Sequence, residues 1–140
     1  MTTTMTMTEL ERLVARHEGF RSHLYRCSAG KLTIGYGTNI EEGISKAEGL
    51  LLLRHRLGLA VADLERRLPY WSKLTPARQQ VLASMQYQLR SPGVFGFRKM
   101  LEALSRSAYD TAAREMLDSK WASRDSPGRA KELAEMMRRG

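Results

Sequence analysis

The chain contains one cysteine, three histidines and four prolines among its 140 residues. A single cysteine excludes an intrachain disulfide bond. The histidines, His17, His23 and His55, are isolated from one another and lack the spacing of metal ligands. The apolar run at residues 50–53 is far too short to cross a bilayer. We therefore expect no metal, no cofactor and no stable membrane insertion.

The N-terminal stretch MTTTMTMTEL lacks two features of a secretory signal. It carries no basic residue before Arg12, and it has no sustained apolar segment. We therefore expect the protein to be made without a signal peptide.

The charge is strongly positive, with a formal net charge of +8 and a pI of about 10.1. Such a balance favours an anionic partner, and nucleic acid, acidic lipid and bacterial cell wall all qualify. The basic residues are scattered and carry no nucleic-acid motif or interleaved aromatic residues, so we expect no nucleic-acid partner. The length and a hydrophobic fraction of 42% suit one domain, or two small lobes that share a core.

Local patterns predict one β-hairpin followed by helices. Short apolar runs at residues 23–25 and 32–34 flank a turn at residues 27–30 that contains glycine, as in a hairpin. Thr8 with Glu11, and Ser45 with Glu48, have the spacing of capping boxes. The pairs Thr75-Pro76 and Ser126-Pro127 predict two further helix starts.

These elements predict an α+β fold. We expect a single domain over residues 1–140, made of a hairpin lobe at 8–45, a linking helix at 46–68 and a mostly helical lobe at 75–140. The methionines fall at helical spacing with other apolar residues, and we expect them in the core.

The stretch at residues 17–37, HEGFRSHLYRCSAGKLTIGYG, holds most of the candidate chemistry. Glu18 ends an amphipathic segment just before Gly19, where we expect its side chain to be partly buried, as suits a general acid. The alternative is a solvated glutamate at a helix end. Cys27 is either a small buried hydrophobe, an incidental surface thiol or a working group.

The order of these residues resembles the signature of the phage-type lysozymes, glycoside hydrolase family 24. In that family the glutamate is the general acid, the second position is usually aspartate, and the threonine helps to hold the attacking water. The resemblance implies catalytic roles for Glu18, Cys27 and Thr33, with Cys27 in place of the usual aspartate. The flanking residues that also match are Tyr25, Gly30, Ile34, Gly35 and Gly37.

The resemblance continues through residues 8–140 and implies a lysozyme-like architecture, with the substrate cleft between the lobes. It implies substrate binding by Gln88, Phe97 and Tyr25. It also implies that Arg129 approaches Glu18 in a supporting role.

Two positions depart from the family pattern. Arg90 stands where a glycine is usual, and Asp125 lies where a neutral residue is usual. Arg90 would either obstruct the substrate, contact peptidoglycan carboxylates or remain a solvated surface residue.

The function implied is that of an endolysin, a muramidase that hydrolyses the β-1,4 bond between N-acetylmuramic acid and N-acetylglucosamine in bacterial peptidoglycan for host lysis. We expect a monomer that is made in the host bacterial cytoplasm and acts on the cell wall in the periplasm after another component permeabilises the membrane. We expect inversion at the anomeric carbon, with Cys27 as base; direct attack by its sulfur is the other course. The alternative function, suggested by Cys27 and Arg90, is a catalytically impaired lysozyme-like protein that binds the cell wall.

Overall fold

The computed structural model describes residues 3–140. The chain forms two compact units, of which the first ends at Leu50 and the second runs from Leu51 to Gly140. The first unit contains a small antiparallel sheet, and the second is helical. The predicted α+β, lysozyme-like fold class is confirmed.

Helix α1 spans Met7–Glu18 in the first unit. Its N-cap is Thr6, whose side chain accepts a hydrogen bond of 3.2 Å from the backbone N–H of Glu9. The predicted cap at Thr8 is therefore wrong. Thr6 and Glu9 have the same spacing as Thr8 and Glu11, so the sequence contains two overlapping capping-box patterns at the start of this helix.

The sheet comprises β1 at Arg21–Arg26, β2 at Leu32–Gly35 and β3 at Thr38–Asn39, with β2 in the centre. The hairpin of β1 and β2 was predicted, but β3 was not. Gly35 and Gly37 have φ values of 71° and 72°, and Ile34 pairs with Thr38. A three-residue loop with glycines at positive φ is a recurrent hairpin connection, so the sequence did carry a signal for β3.

Helix α2 spans Lys46–Arg67, and the boundary between the two units falls within it, after Leu50. The predicted capping box is present. The backbone N–H of Ser45 donates to Oε1 of Glu48 at 2.9 Å, and the N–H of Glu48 donates to Oγ of Ser45 at 3.1 Å. Among residues 3–140, no helix combines the length and the apolar character needed to cross a membrane.

The second unit continues with α3 at Pro76–Leu89, α4 at Arg98–Ser105, α5 at Tyr109–Leu117 and α6 at Pro127–Arg139. Single turns of 3₁₀ helix lie at Trp71–Lys73 and Gly93–Gly96, and a π-helical turn lies at Trp121–Asp125. Helix α6 packs against α5 and α3.

The two proline starts differ in their caps. Thr75 caps α3 as predicted, because its side chain accepts from the backbone N–H of Arg78 at 3.2 Å. Ser126 precedes Pro127 but makes no capping hydrogen bond. Its hydroxyl instead accepts from Nε2 of Gln88 at 2.7 Å, so the predicted helix start at Ser126-Pro127 is confirmed but has no capping bond.

The buried hydrophobic side chains among residues 3–140 all belong to the second unit. Four methionines in this core are fully buried, and burial of such a side chain stabilises the fold by about 1.5–3 kcal/mol. The prediction that methionines form the core is confirmed for these four: Met85, Met100, Met116 and Met137.

Arg78 is a buried charge that the sequence did not reveal, with 9% of its surface exposed. Its Nε donates to the carbonyl of Met137 at 2.7 Å and its Nη2 to that of Arg138 at 3.1 Å. Its guanidinium also lies 3.4 Å from the centre of the Tyr109 ring. A cation at the carbonyl end of α6 is favourable, because the last turn of a helix leaves carbonyl groups without partners.

Candidate active site

Glu18 is the last residue of α1, and its carboxyl group lies against the backbone of Gly37. A Cβ atom added at Gly37 would stand 2.2 Å from Oε2 of Glu18, which is far inside van der Waals contact. Gly37 is therefore required twice, by its φ of 72° and by this close approach. The loop between β2 and β3 thus passes close to the carboxyl group of Glu18. The side chain is exposed, so the expected partial burial is not observed.

Cys27 follows β1 directly and opens the turn that leads into β2. Its backbone N–H donates to the carbonyl of Lys31 at 2.9 Å, and its carbonyl accepts from the N–H of Gly30 at 2.8 Å. Gly30 adopts a φ of 78°, which closes this turn without strain. The thiol is free and half-buried.

The turn lowers the pKa of the Cys27 thiol below its ordinary value. The main cause is a hydrogen bond from the backbone N–H of Lys31, followed by one from the backbone N–H of Ala29. The hydroxyl of Thr33 also lowers this pKa, and partial desolvation opposes it. Hydrogen bonds to the ionised form favour that form, so the turn stabilises a negative charge at the sulfur.

Thr33 lies in β2, opposite Tyr25 of β1, and only 3% of its surface is exposed. Its Oγ1 donates to the carbonyl of Lys31 at 2.8 Å. A hydroxyl has one proton, so that proton serves either this carbonyl or a thiolate at Cys27. The structure therefore brings Thr33 and Cys27 together around Lys31.

Two cations flank the turn, and both reach the same carboxylate. Nη1 of Arg26 lies 3.5 Å and Nζ of Lys31 lies 3.4 Å from the two carboxylate oxygens of Glu41. Nη1 of Arg26 also donates to the carbonyl of Gly30 at 2.9 Å. The principal cause of the lowered thiol pKa is the backbone of Lys31, not these two side-chain charges.

Tyr25, the expected substrate contact in the first unit, is half-buried. The guanidinium carbon of Arg21 lies 4.4 Å from the centre of its ring. One face of the Tyr25 ring is therefore covered by a cation.

Gln88 lies near the end of α3 in the second unit, and its amide group is held on both sides. Oε1 accepts from Nε1 of Trp121 at 3.0 Å, and Nε2 donates to Oγ of Ser126 at 2.7 Å. These bonds fix which way the amide points. They leave one N–H and one lone pair of the amide for a ligand.

Phe97 meets the same tryptophan. The rings of Phe97 and Trp121 are edge to face, with centroids 5.9 Å apart. Trp121 is a residue that the site prediction omitted, and it connects the two predicted substrate-binding residues Gln88 and Phe97. Phe97 and Trp121 line a cavity of about 430 Å³ together with Gly96, Arg98, Lys99, Met100, Glu115, Asp118, Ser119 and Lys120.

Gln88 opens on a separate cavity of about 350 Å³. Arg129 lines it too, and its Nη2 donates to Oγ of Ser84 at 2.8 Å and to the carbonyl of Ser84 at 3.2 Å. The predicted approach of Arg129 to Glu18 joins residues of two units, and it remains a prediction.

The sequence model of the family described as "Phage lysozyme" matches residues 15–139. The chain belongs to the phage lysozyme family. It is similar to the endolysin of Acyrthosiphon pisum secondary endosymbiont phage 1, with 26% identity over 131 residues. That alignment covers 91% of this chain and 86% of the endolysin.

By family, the chain is a glycoside hydrolase of the lysozyme type. The matched range spans Glu18, Cys27 and Thr33, whose catalytic roles stay predictions. Among the described residues 3–140, no group of three or more histidine, cysteine, aspartate or glutamate side chains is placed to hold a metal ion.

For this lysozyme-family chain we predict that Cys27 ionises at a lower pH than a free thiol, whose pKa is about 8.5. The rate of alkylation by iodoacetamide, followed from pH 6 to 10, reports the thiolate fraction. Thr33→Val should move the midpoint to higher pH, because it removes the hydroxyl. Ser22→Val, on exposed β1, is the matched control and should leave the midpoint unchanged.

The same shift predicts how stability depends on pH. Between the folded and the unfolded pKa of Cys27 the unfolded chain binds more protons, so stability rises with pH in this window. The contribution is complete above the unfolded pKa, and it is lost as the pH falls through the folded pKa. The difference in urea midpoint between wild type and Cys27→Ser should follow this curve; a flat difference from pH 6 to 10 would contradict it.

Proposed function

We propose that the chain is an endolysin that hydrolyses the β-1,4 bond between N-acetylmuramic acid and N-acetylglucosamine in bacterial peptidoglycan. The observation that carries the proposal is the turn at residues 27–31. Its backbone amides stabilise a negative charge at the position where the resemblance expects aspartate. Family membership and the name of the similar endolysin support the choice of substrate.

Glu18 is the proposed general acid. Cleavage of a glycosidic bond needs a proton for the leaving oxygen while positive charge develops at the anomeric carbon. The close approach to Gly37 supports this role, because it brings the carboxyl group at the end of α1 against the loop between β2 and β3. Glu18 gives its proton to the leaving oxygen and becomes a carboxylate.

Cys27 is the proposed general base. Its thiolate takes one proton from a water molecule whose oxygen attacks the anomeric carbon, so the cysteine ends the step as a thiol. Protons from solvent then restore Glu18, and solvent removes the proton from Cys27. The lowered thiol pKa supports this role, because an ordinary thiol is only a few per cent ionised at pH 7.

Thr33 is the proposed partner of Cys27. Whether its proton is donated to the carbonyl of Lys31 or to the thiolate, its oxygen keeps lone pairs that can accept from a water bound at the thiolate. With only 3% of its surface exposed, Thr33 would also position the turn itself.

Gln88, Phe97 and Tyr25 are the proposed contacts to the sugar, and Arg129 the proposed support for Glu18. The fixed amide of Gln88 and the half-buried ring of Phe97 suit a ligand with polar edges and apolar faces. We propose that the enzyme acts as a monomer on the cell wall, in the periplasm, after the membrane has been permeabilised. The net charge of +8 supports an anionic wall as partner.

Lysis of purified cell walls by four proteins tests the proposal. Wild type should lyse them; Glu18→Gln should lower the rate by at least about 100-fold, as expected for loss of a general acid. Cys27→Ser should lose activity comparably, because serine does not ionise near pH 7. Cys27→Asp should remain active, since a carboxylate can accept the same amides. An active Glu18→Gln protein would refute the assignment.

The alternative function, a wall-binding protein without turnover, is separated by the same proteins. A silent wild type that becomes active as Cys27→Asp would favour the alternative. Sedimentation with intact walls provides the control, since it reports binding whether or not the bond is cleaved.

Gly37→Ala and Gly35→Ala form a matched pair for the role of the loop. Both replace a glycine at a φ near 70°, but only the Cβ at residue 37 meets the carboxyl of Glu18. Each should destabilise the fold by about 1–2 kcal/mol through backbone strain. Only Gly37→Ala should also lower wall lysis at least about tenfold at a temperature where both are folded. Equal losses of lysis would contradict the role given to Gly37.

The stereochemistry of the first product tests the role of Cys27. Attack by a water that Cys27 activates inverts the anomeric carbon, whereas attack by the sulfur itself gives retention after two displacements. Proton NMR of the reducing end during the first minutes of hydrolysis should show the α-anomer. A β-anomer as first product would assign Cys27 as nucleophile.

A further inference from the structure

Three arginines line the cavity of about 350 Å³ at the end of α3. Arg56 comes from α2, Arg90 follows α3 directly, and Arg129 comes from α6. Within residues 51–140 none of the three is paired with a carboxylate. The remaining lining residues are Ala60, Gln86, Tyr87 and Gln88.

One acidic group, Asp63, bonds to a residue of the lining, and it is already paired with two arginines. Nε2 of Gln86 donates to Oδ2 of Asp63 at 3.5 Å. The two oxygens of Asp63 also accept from Arg66 at 2.5 Å and from Arg67 at 3.4 Å. The field inside the cavity is therefore set by its own guanidinium groups, and it is positive.

Arg90 holds an unfavourable backbone conformation. Its φ of 57° and ψ of −141° belong to a region that favours glycine. A non-glycine residue there destabilises the fold. An exposed arginine gains no packing that would offset this strain. The strain is therefore an observation that a solvated surface role leaves unexplained.

The two glutamine side chains of the lining are held in place. The backbone N–H of Val94 donates to Oε1 of Gln86 at 2.8 Å, and Gln88 is fixed by Trp121 and Ser126. Only Nη2 of Arg129 is engaged, by Ser84, so its other N–H groups remain for a ligand. A rim with three guanidinium forks is suited to bind a planar anion.

We propose that this cavity binds a carboxylate of the short peptide carried on the glycan, with Arg90 as a specificity-determining contact. The inference rests on the proposed function. Gln88, a proposed sugar contact, lines the same cavity, so a carboxylate attached to that substrate lies within reach. Guanidinium groups pair with carboxylates through two parallel hydrogen bonds, which suits a peptide carboxylate.

The test compares two soluble ligands, a disaccharide-peptide with free carboxylates and the same compound with its carboxylates amidated. Wild type should bind the free form about tenfold more tightly, as expected for hydrogen bonds to a charged group. The preference should shrink as salt rises, because exposed charges are screened. Equal affinity for both ligands would overturn the proposal.

Arg90→Gly is the decisive variant, because it removes the strain and the charge together. Its Tm should rise by about 1–3 °C, while the preference for the free carboxylate should fall to about twofold. Arg56→Ala should reduce the preference as well. If the Arg90→Gly variant keeps the full preference for the free carboxylate, the role of Arg90 is overturned.

Two controls match Arg90→Gly in one property each. Ser107→Gly relieves a similar backbone conformation, with φ of 58°, and should leave the preference unchanged. Arg124→Ala removes an exposed charge outside the cavity and should also leave it unchanged. A loss of preference in Arg124→Ala equal to that in Arg90→Gly would assign the effect to net charge and overturn the site.

Competition by poly(glycerol phosphate) distinguishes carboxylate from phosphate. Weaker competition, per charge, than by the free peptide supports the assignment, and stronger competition overturns it.

Lysis of walls with amidated peptides separates this inference from the proposed function. Lysis without a preference for free carboxylates would refute the carboxylate site alone. A preference for free carboxylates without any lysis would support the site and refute the enzymatic function.

Discussion

The hydrogen bonds from the backbone amides of Lys31 and Ala29 to the sulfur of Cys27 are the interaction on which the proposed chemistry depends. They arise from the path of the chain, since the turn is closed by the Cys27–Lys31 and Gly30–Cys27 backbone bonds. A backbone N–H donates to any anion of the right size, so the turn does not distinguish a thiolate from a carboxylate. Cysteine in place of the expected aspartate therefore changes the hydrogen-bond acceptor at residue 27 and leaves the backbone N–H donors in place.

The first unit is organised by such backbone features more than by a core. Helix α1 has no buried residue, and Thr33 is the buried residue of the sheet. What defines the candidate site there is a set of glycines at positive φ: Gly30 closes the turn at Cys27, and Gly37 admits the carboxyl group of Glu18. In the second unit, by contrast, packing positions the side chains, as where buried Trp121 fixes the amide of Gln88.

The sequence predicted those features whose causes lie within a few residues. The capping box of Ser45 and Glu48 and the start of α3 at Thr75-Pro76 were correct, because a cap and its donor are three residues apart. The start of α6 at Ser126-Pro127 was correct too, but the bond between the Ser126 hydroxyl and Gln88 could not be predicted, because Gln88 lies 38 residues earlier. The buried Arg78 could not be predicted for the same reason, since its partners lie 59 and 60 residues away. For the site, the motif selected Cys27 and Thr33 as candidates, whereas the positive φ of Arg90 and the contacts of Trp121 depend on the folded chain.

The amides matter more for a cysteine at residue 27 than they would for an aspartate. An aspartate with an ordinary pKa near 3.9 is ionised at neutral pH whether or not the turn helps it. A thiol with an ordinary pKa near 8.5 is mostly protonated at pH 7, and every tenfold gain in the small ionised fraction needs about 1.4 kcal/mol of preferential stabilisation. Lowering the pKa also lowers the proton affinity of the base, so the gain in thiolate is partly offset by weaker proton abstraction. The turn at residues 27–31 is therefore what would allow a sulfur to act as the base near neutral pH. Loss of the turn geometry would lower activity more in this chain than in a chain with aspartate at residue 27.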